Sequence, residues 1–107
     1  MLIEFEKEYL EQLFTKGKAD KKKYRFQPQV IKQYIKTLNI LRSVKNTEIL
    51  YQLKNLHYEK KSGNLSDIEA VWVNKQYRLE FKTRTIGKEP AIITICSLTN
   101  LSNHYKK

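Results

Sequence analysis

Few side chains in this 107-residue sequence can do covalent chemistry, and most of those that can are proton carriers. The histidines are His57 and His104, the only cysteine is Cys96, and Tyr105 follows His104 directly. Histidine exchanges protons near neutral pH, and tyrosine does so when nearby cations lower its pKa. Arg78 stands mid-way along the alternating run Gln76-Tyr77-Arg78-Leu79-Glu80-Phe81. It points away from the apolar side of Tyr77, Leu79 and Phe81, where a planar fork can clamp a phosphate. Proton carriers and a fixed cation are the groups that metal-free cleavage of a phosphodiester uses: a base to draw the proton from an attacking hydroxyl, a cation to stabilise the pentavalent phosphorus, and an acid to protonate the leaving oxygen.

Each of these residues also has a blander reading. On residue type alone, Arg78 is a strand arginine paired with Glu80 or Glu69. His57 is equally a surface-loop histidine, and His104 a solvated one. Metal chemistry does not compete: there is no H-E-x-x-H and no cysteine pair. Gly17, Gly63 and Gly87 are too scattered to form a phosphate-cradling loop. No metal or cofactor is expected.

The elements that must position these groups follow from periodicity. Residues 5–16 read as an amphipathic helix with Phe5, Tyr9, Leu10, Leu13 and Phe14 on one side. Glu4, Glu6 and Glu8 at its start and Lys16 and Lys18 at its end complement the macrodipole, and Gly17 stops it. Met1 to Ile3 can add a short edge strand before it. A basic connector over 18–25 leads to Pro28, placed for the first turn of a second helix. Val30, Ile31, Tyr34, Ile35, Leu38 and Leu41 form that helix's apolar stripe. Thr47 can cap a short third helix running to about Leu53.

After Gly63-Asn64 the period changes from 3.6 to 2. Strands are expected at about 67–73, 76–84 and 91–97, with turns at Asn74-Lys75 and 86–90. The segment from Leu98 begins as strand and ends beside the sheet. Trp72 shares parity with Ala70 rather than with Val71 and Val73. It reads most simply as packing, with base stacking as the alternative. The fold class is α+β: one domain over 1–107, two to three N-terminal helices packed on one face of a twisted antiparallel sheet, the other face concave and basic.

Lysine plus arginine number 21 against 11 aspartate plus glutamate, a formal charge of +10. The excess is spread along the chain: residues 1–53 carry 11 basic and 6 acidic side chains, residues 54–107 carry 10 and 5. A domain basic throughout suits a polyanionic partner, although solubility alone also explains it. Lys54, Lys60, Lys61, Lys82 and Arg84 are the cations expected to hold the phosphates of such a partner, the last two sharing strand parity with Arg78. Cys96 lies in an apolar run and reads as a core residue of a reducing compartment. The longest apolar run is Ala70 to Val73, so no membrane span or signal segment is expected and the cytoplasm is the expected address.

The run from Val71 to Phe81 resembles the V-N-x-Q-Y-R-L-x-F hairpin of the RelE/ParE superfamily of bacterial toxins, in particular the HigB-type plasmid-maintenance toxins. The helix ending in Gly17-Lys18, the segment Leu53 to Leu65 and the terminal Asn103-His104-Tyr105-Lys106 are similar to HigB-type toxins too. The resemblance covers essentially the whole chain and implies a RelE-like fold. It also implies the toxin of a type II toxin–antitoxin pair, an mRNA endoribonuclease acting on translating ribosomes and leaving 2′,3′-cyclic phosphate and 5′-OH ends. In that family the motif arginine faces the RNA, which assigns phosphorane stabilisation to Arg78. His104, Tyr105 and His57 would share proton transfer. Better-known members end in D-Y-H where this chain reads Asn103-His104-Tyr105, so which group is acid and which is base stays open. The partner implied is an antitoxin, often a helix-turn-helix protein. Two other readings share the fold: a ParE-like inhibitor of DNA gyrase, and a non-catalytic RNA-binding toxin-like module.

Overall fold

The computed structural model of the chain describes residues 1–61 and 67–103. The chain opens with strand β1 (Leu2–Phe5), followed by helix α1 (Glu8–Lys16) and helix α2 (Pro28–Ser43). Helix α1 starts three residues later than its apolar spacing suggests. Phe5 is instead a strand residue, paired with Leu98, and the amide of Glu6 donates to the Leu98 carbonyl at 2.9 Å. Ile3 and Phe5 both pack against the core, as alternate residues of one strand do. Gly17, at φ 75°, ends α1 in the left-handed region that a Cβ disfavours. Pro28 opens α2 as expected, and Val30, Tyr34, Leu38 and Leu41 form its buried stripe.

Helical structure between α2 and the sheet is 3₁₀ rather than α. One piece spans Thr47–Gln52 and a second spans Lys54–Leu56. The cap of the first is Asn46, whose Oδ1 accepts from the Glu48 amide at 3.1 Å; Thr47 is already inside the turn. The short pieces suit a chain that must reverse direction repeatedly before entering the sheet.

Strands β2 (Glu59–Lys60), β3 (Glu69–Trp72), β4 (Tyr77–Ile86) and β5 (Ile93–Asn103) complete a five-stranded sheet of order β1-β5-β4-β3-β2. The pairs from β5 to β2 are antiparallel, but β1 runs parallel to β5, so the sheet is mixed rather than wholly antiparallel. Parallel pairing needs a long crossover, and here it runs through the helical layer and then β2 to β4. The expected edge strand is therefore present, and it is docked on the strand farthest from it in sequence. On the face away from the helices, Arg78, Lys82 and Arg84 share strand parity with Glu80, and Arg84 binds Glu4. That face is of mixed sign and not uniformly basic.

Two irregularities set which side chains face which way. The β3–β4 turn is a three-residue loop, Asn74 to Gln76, not the two-residue Asn74-Lys75 turn. Trp72 pairs with Arg78, and the Val73 amide donates to the Tyr77 carbonyl at 2.9 Å. Asn74 replaces a glycine turn with its side chain: Oδ1 accepts from the amides of Gln76 (2.8 Å) and Tyr77 (2.7 Å), while Nδ2 donates to Gln33 on α2 at 2.7 Å. The second irregularity is a bulge in β5. Glu80 faces Asn100 and Phe81 faces Leu98, leaving Thr99 as the extra residue, so that both Leu98 and Leu101 reach the core. Tyr9 holds this bulge, its hydroxyl donating to Asn100 Oδ1 (2.7 Å) and accepting from the Leu101 amide (2.9 Å).

The core between helices and sheet includes Leu10, Leu13, Tyr34, Leu38, Leu41, Val71, Leu79, Phe81, Cys96 and Leu98, all fully buried. Burial pushes the Cys96 thiol and the Tyr9 hydroxyl up to about 12, and raises Tyr34 and Tyr58 as well. A raised folded-state pKa means the folded protein holds protons that the unfolded chain releases. This contribution is intact below the unfolded values, near 8.5 for thiol and about 10 for phenol, and is lost as pH climbs toward the folded ones. The urea midpoint is therefore expected to fall steadily between about pH 9 and pH 11; a flat profile there would contradict the burial of these groups.

Candidate functional site

The register of the β3–β4 hairpin decides the site. A three-residue loop sums the paired positions so that Trp72 and Arg78 lie directly opposite each other on the sheet face away from the helices. A two-residue turn would have slipped the pairing by one and sent them to opposite faces. The Arg78 guanidinium carbon lies 4.1 Å from the centre of the Trp72 ring, a close cation–π contact. Its Nη1 donates to the carbonyls of Asn74 (2.8 Å), Lys75 (3.1 Å) and Tyr77 (3.2 Å). Neither Glu80 nor Glu69 pairs with it: among the described residues Arg78 makes no ion pair. Glu80 is approached by Asn100, and Glu69 accepts from Tyr58 (2.5 Å) and Thr83 (2.6 Å) on the core side. All three bonds leave from one nitrogen, so the hairpin carbonyls anchor one prong of the fork and direct the rest of it.

The imidazole of His57 stacks on the same indole, ring centres 3.7 Å apart and planes 23° from parallel. His57 ends the Lys54–Leu56 turn and precedes β2, whereas Arg78 lies on β4, and β3 runs between those two strands. The imidazole therefore comes to Trp72 from the β2 side and the guanidinium from the β4 side. The His57 backbone is left-handed, φ 46° and ψ 46°, and its amide donates to the Lys54 carbonyl at 3.1 Å. A non-glycine residue in that region is uncommon and costs about 1–2 kcal/mol. Here it turns an exposed histidine back over the sheet. Replacing His57 with glycine is expected to remove the stack while relieving the backbone, changing unfolding free energy by no more than about 1 kcal/mol. A larger loss in chemical denaturation would make the imidazole a structural group.

Sequence reasoning treated His57 and Arg78 separately and read Trp72 as packing. The structure puts all three in one layered cluster and leaves Trp72 outside the core. The signal was present in the pattern: Trp72 and Arg78 are equidistant from Lys75, and Asn74 is suited to cap a three-residue loop.

The remaining candidates divide. Lys54 and Lys60 are exposed beside the His57 turn and on β2. Lys61 lies 3.7 Å from Glu59, and Lys82 lies 3.5 Å from Asp67. Arg84 is bound in both prongs by Glu4, at 2.9 and 2.8 Å, which lowers the Glu4 pKa and raises that of Arg84. The cation track expected along β4 is thus already matched by carboxylates at Lys82 and Arg84. His104 and Tyr105 lie outside the described residues. Asn103, the last described residue, pairs with Tyr77, and Ser102 pairs with Arg78, so the described end of β5 lies at the end of the sheet that carries the stack. Among the described residues no group of His, Cys, Asp and Glu could hold a metal ion.

The family model for the RelE-like toxin HigB of type II toxin–antitoxin systems matches residues 3–93. The chain belongs to this family. It contains β1 to β4 and the start of β5 in the matched span, and with them His57, Trp72 and Arg78. Among solved structures, the YoeB/ParE toxin from Agrobacterium tumefaciens has a similar fold, with a TM-score of 0.59 at 10% identity over 98% of this chain and 100% of that one. No curated protein sequence matches the chain. A HigB-like type II toxin has an antitoxin as its partner, and no described helix of this one is long and apolar enough to cross a membrane.

Proposed function

We propose that this HigB-like toxin is a metal-independent endoribonuclease that cuts mRNA on translating ribosomes in the cytoplasm. The reading is carried by the convergence of a proton carrier and an anchored guanidinium on one indole, His57 and Arg78 about Trp72. Arg78 has the planar donors that bind a phosphate and stabilise the extra charge of a pentavalent phosphorane. His57 has a nitrogen base exposed to solvent within the same cluster. His104 and Tyr105, following the strand partner of Tyr77, are the further candidates for proton transfer. Attack by the 2′-OH would yield a 2′,3′-cyclic phosphate and a 5′-OH.

Lys54 and Lys60, exposed near His57, would hold flanking phosphates, with Lys61, Lys82 and Arg84 joining by exchange of their carboxylate partners. The antitoxin, a helix-turn-helix protein in this reading, would silence the toxin by covering this surface. Brief induced expression followed by mapping of RNA 5′ ends tests the proposal, wild type beside Arg78→Ala. New 5′-OH ends inside translated messages, absent in the variant, are expected. Growth arrest with intact messages and damaged DNA would replace the ribonuclease with a gyrase inhibitor, and neither arrest nor new ends would leave a binding module.

A further inference from the structure

Trp72 has no place in the chemistry set out above, yet it touches both groups that do. It is half-buried, absent from the core cluster, and in ring contact with one side chain from the turn before β2 and one from β4. Neither face of the indole is open to a nucleotide base while His57 and Arg78 occupy them. The ring acts instead as a spacer. An imidazole and a guanidinium that both lie within about 4 Å of one indole cannot share a face without clashing, so they flank it at a separation of at most roughly 8 Å. A phosphate accepting one hydrogen bond of about 2.8 Å from each side, with its own oxygens about 2.5 Å apart, spans about the same gap.

We infer that Trp72 is a positioning residue, setting the separation of His57 and Arg78 so that a single RNA phosphodiester bridges them across the edge of the indole. The assignment rests on the ribonuclease reading for its effect on rate, but its geometry can be tested without any cleavage. Three features support it. The Arg78 fork is restrained by three hairpin carbonyls as well as by the ring, so its position is defined before substrate arrives. The His57 backbone is left-handed where its imidazole stacks on the ring. And the three-residue loop braced by Asn74 keeps Trp72 opposite Arg78.

Trp72 is the only tryptophan in the chain, so its emission reports on this site alone. The first measurement adds an uncleavable 2′-O-methyl RNA octamer to the wild-type protein, with binding followed separately by anisotropy of a labelled octamer. Tryptophan emission should change in step with binding, and that change should disappear in Arg78→Ala and in His57→Gly. Binding with unaltered emission would overturn the inference whether or not the protein cleaves RNA. The second compares Trp72→Phe, which keeps an aromatic face, with Trp72→Leu, which keeps most of the volume and no face. Both should fold, as judged by circular dichroism. On cleavable RNA presented on ribosomes, Trp72→Leu should lose roughly 100-fold in kcat with KM within about threefold, because misplacing a catalytic group by about 1 Å costs about that much. Trp72→Phe should recover most of the loss. A loss confined to KM would make Trp72 a base-binding platform, and equal rates in the two variants would remove any positioning role. Absence of cleavage in the wild type would overturn the ribonuclease reading alone, leaving the emission experiment to decide the geometry.

Discussion

Arg78→Ala is expected to lower RNA cleavage by about 1,000-fold while leaving the fold intact. The magnitude follows from what the guanidinium supplies. One preorganised donor to a developing oxyanion is worth 10²–10³, and an arginine on a transferring phosphoryl group 10³–10⁵. The fold should survive because Arg78 is only half-buried and makes no ion pair among the described residues. Its contacts are one aromatic face and three carbonyls at the hairpin loop. Arg78→Lys is expected to recover little, since an ammonium cannot keep one prong on the loop carbonyls and offer others to a phosphate. Single-turnover cleavage of ribosome-bound message, with thermal unfolding as the control, checks both. Activity of Arg78→Ala within tenfold of wild type would remove Arg78 from the centre of the reaction.

The largest effect on stability is expected from Phe81→Ala. Phe81 is fully buried, sits at the register shift where β4 meets the β5 bulge, and packs 6.3 Å ring-to-ring from Tyr58. Removing a buried phenyl ring costs about 3–5 kcal/mol through lost transfer energy and the cavity left behind. Domains of this size have about 5–15 kcal/mol in total, so the variant should be close to unfolding at physiological temperature. The neighbouring polar group makes collapse of the cavity harder. Tyr58 donates to buried Glu69, which also accepts from Thr83 on β4, and neither bond can shift far without stranding the carboxylate. Urea titration at constant slope would measure the loss. A cost under about 1 kcal/mol would mean that the site relaxes freely, contrary to its packing.

Local patterns made much of the architecture legible. The stripe from Val30 to Leu41, Pro28 at the first helical turn, Gly17 as a stop and the alternation of Tyr77, Leu79 and Phe81 each have one sufficient physical cause close by in sequence. What could not be read were the features fixed by distant partners. Phe5 fits a helix stripe as well as a strand, and only the parallel pairing with Leu98 decides between them. Thr99 carries no mark of a bulge; Tyr9, ninety residues earlier, stabilises it. At the site, Arg78 was visible through its parity, but its link to Trp72 depended on whether the loop had two residues or three. His57 was a histidine in a loop until its left-handed backbone and the ring beneath it were seen together.

The parallel pairing of β1 with β5 has a consequence for how the toxin comes into being. β5 lies between β1 and β4, so β1 gains its sheet partner from the strand that follows β2, β3 and β4 in the chain. During vectorial synthesis β1, α1 and α2 emerge first, but their apolar surfaces cannot be closed until residues 93–103 arrive to pair on both sides. Contact order is correspondingly high at this seam, and folding must wait on it. A nascent chain therefore leaves Arg78 on a hairpin with an unfinished flank until Ser102 supplies its cross-strand neighbour. Arg78 stands in a finished sheet only after β5 has docked between β1 and β4.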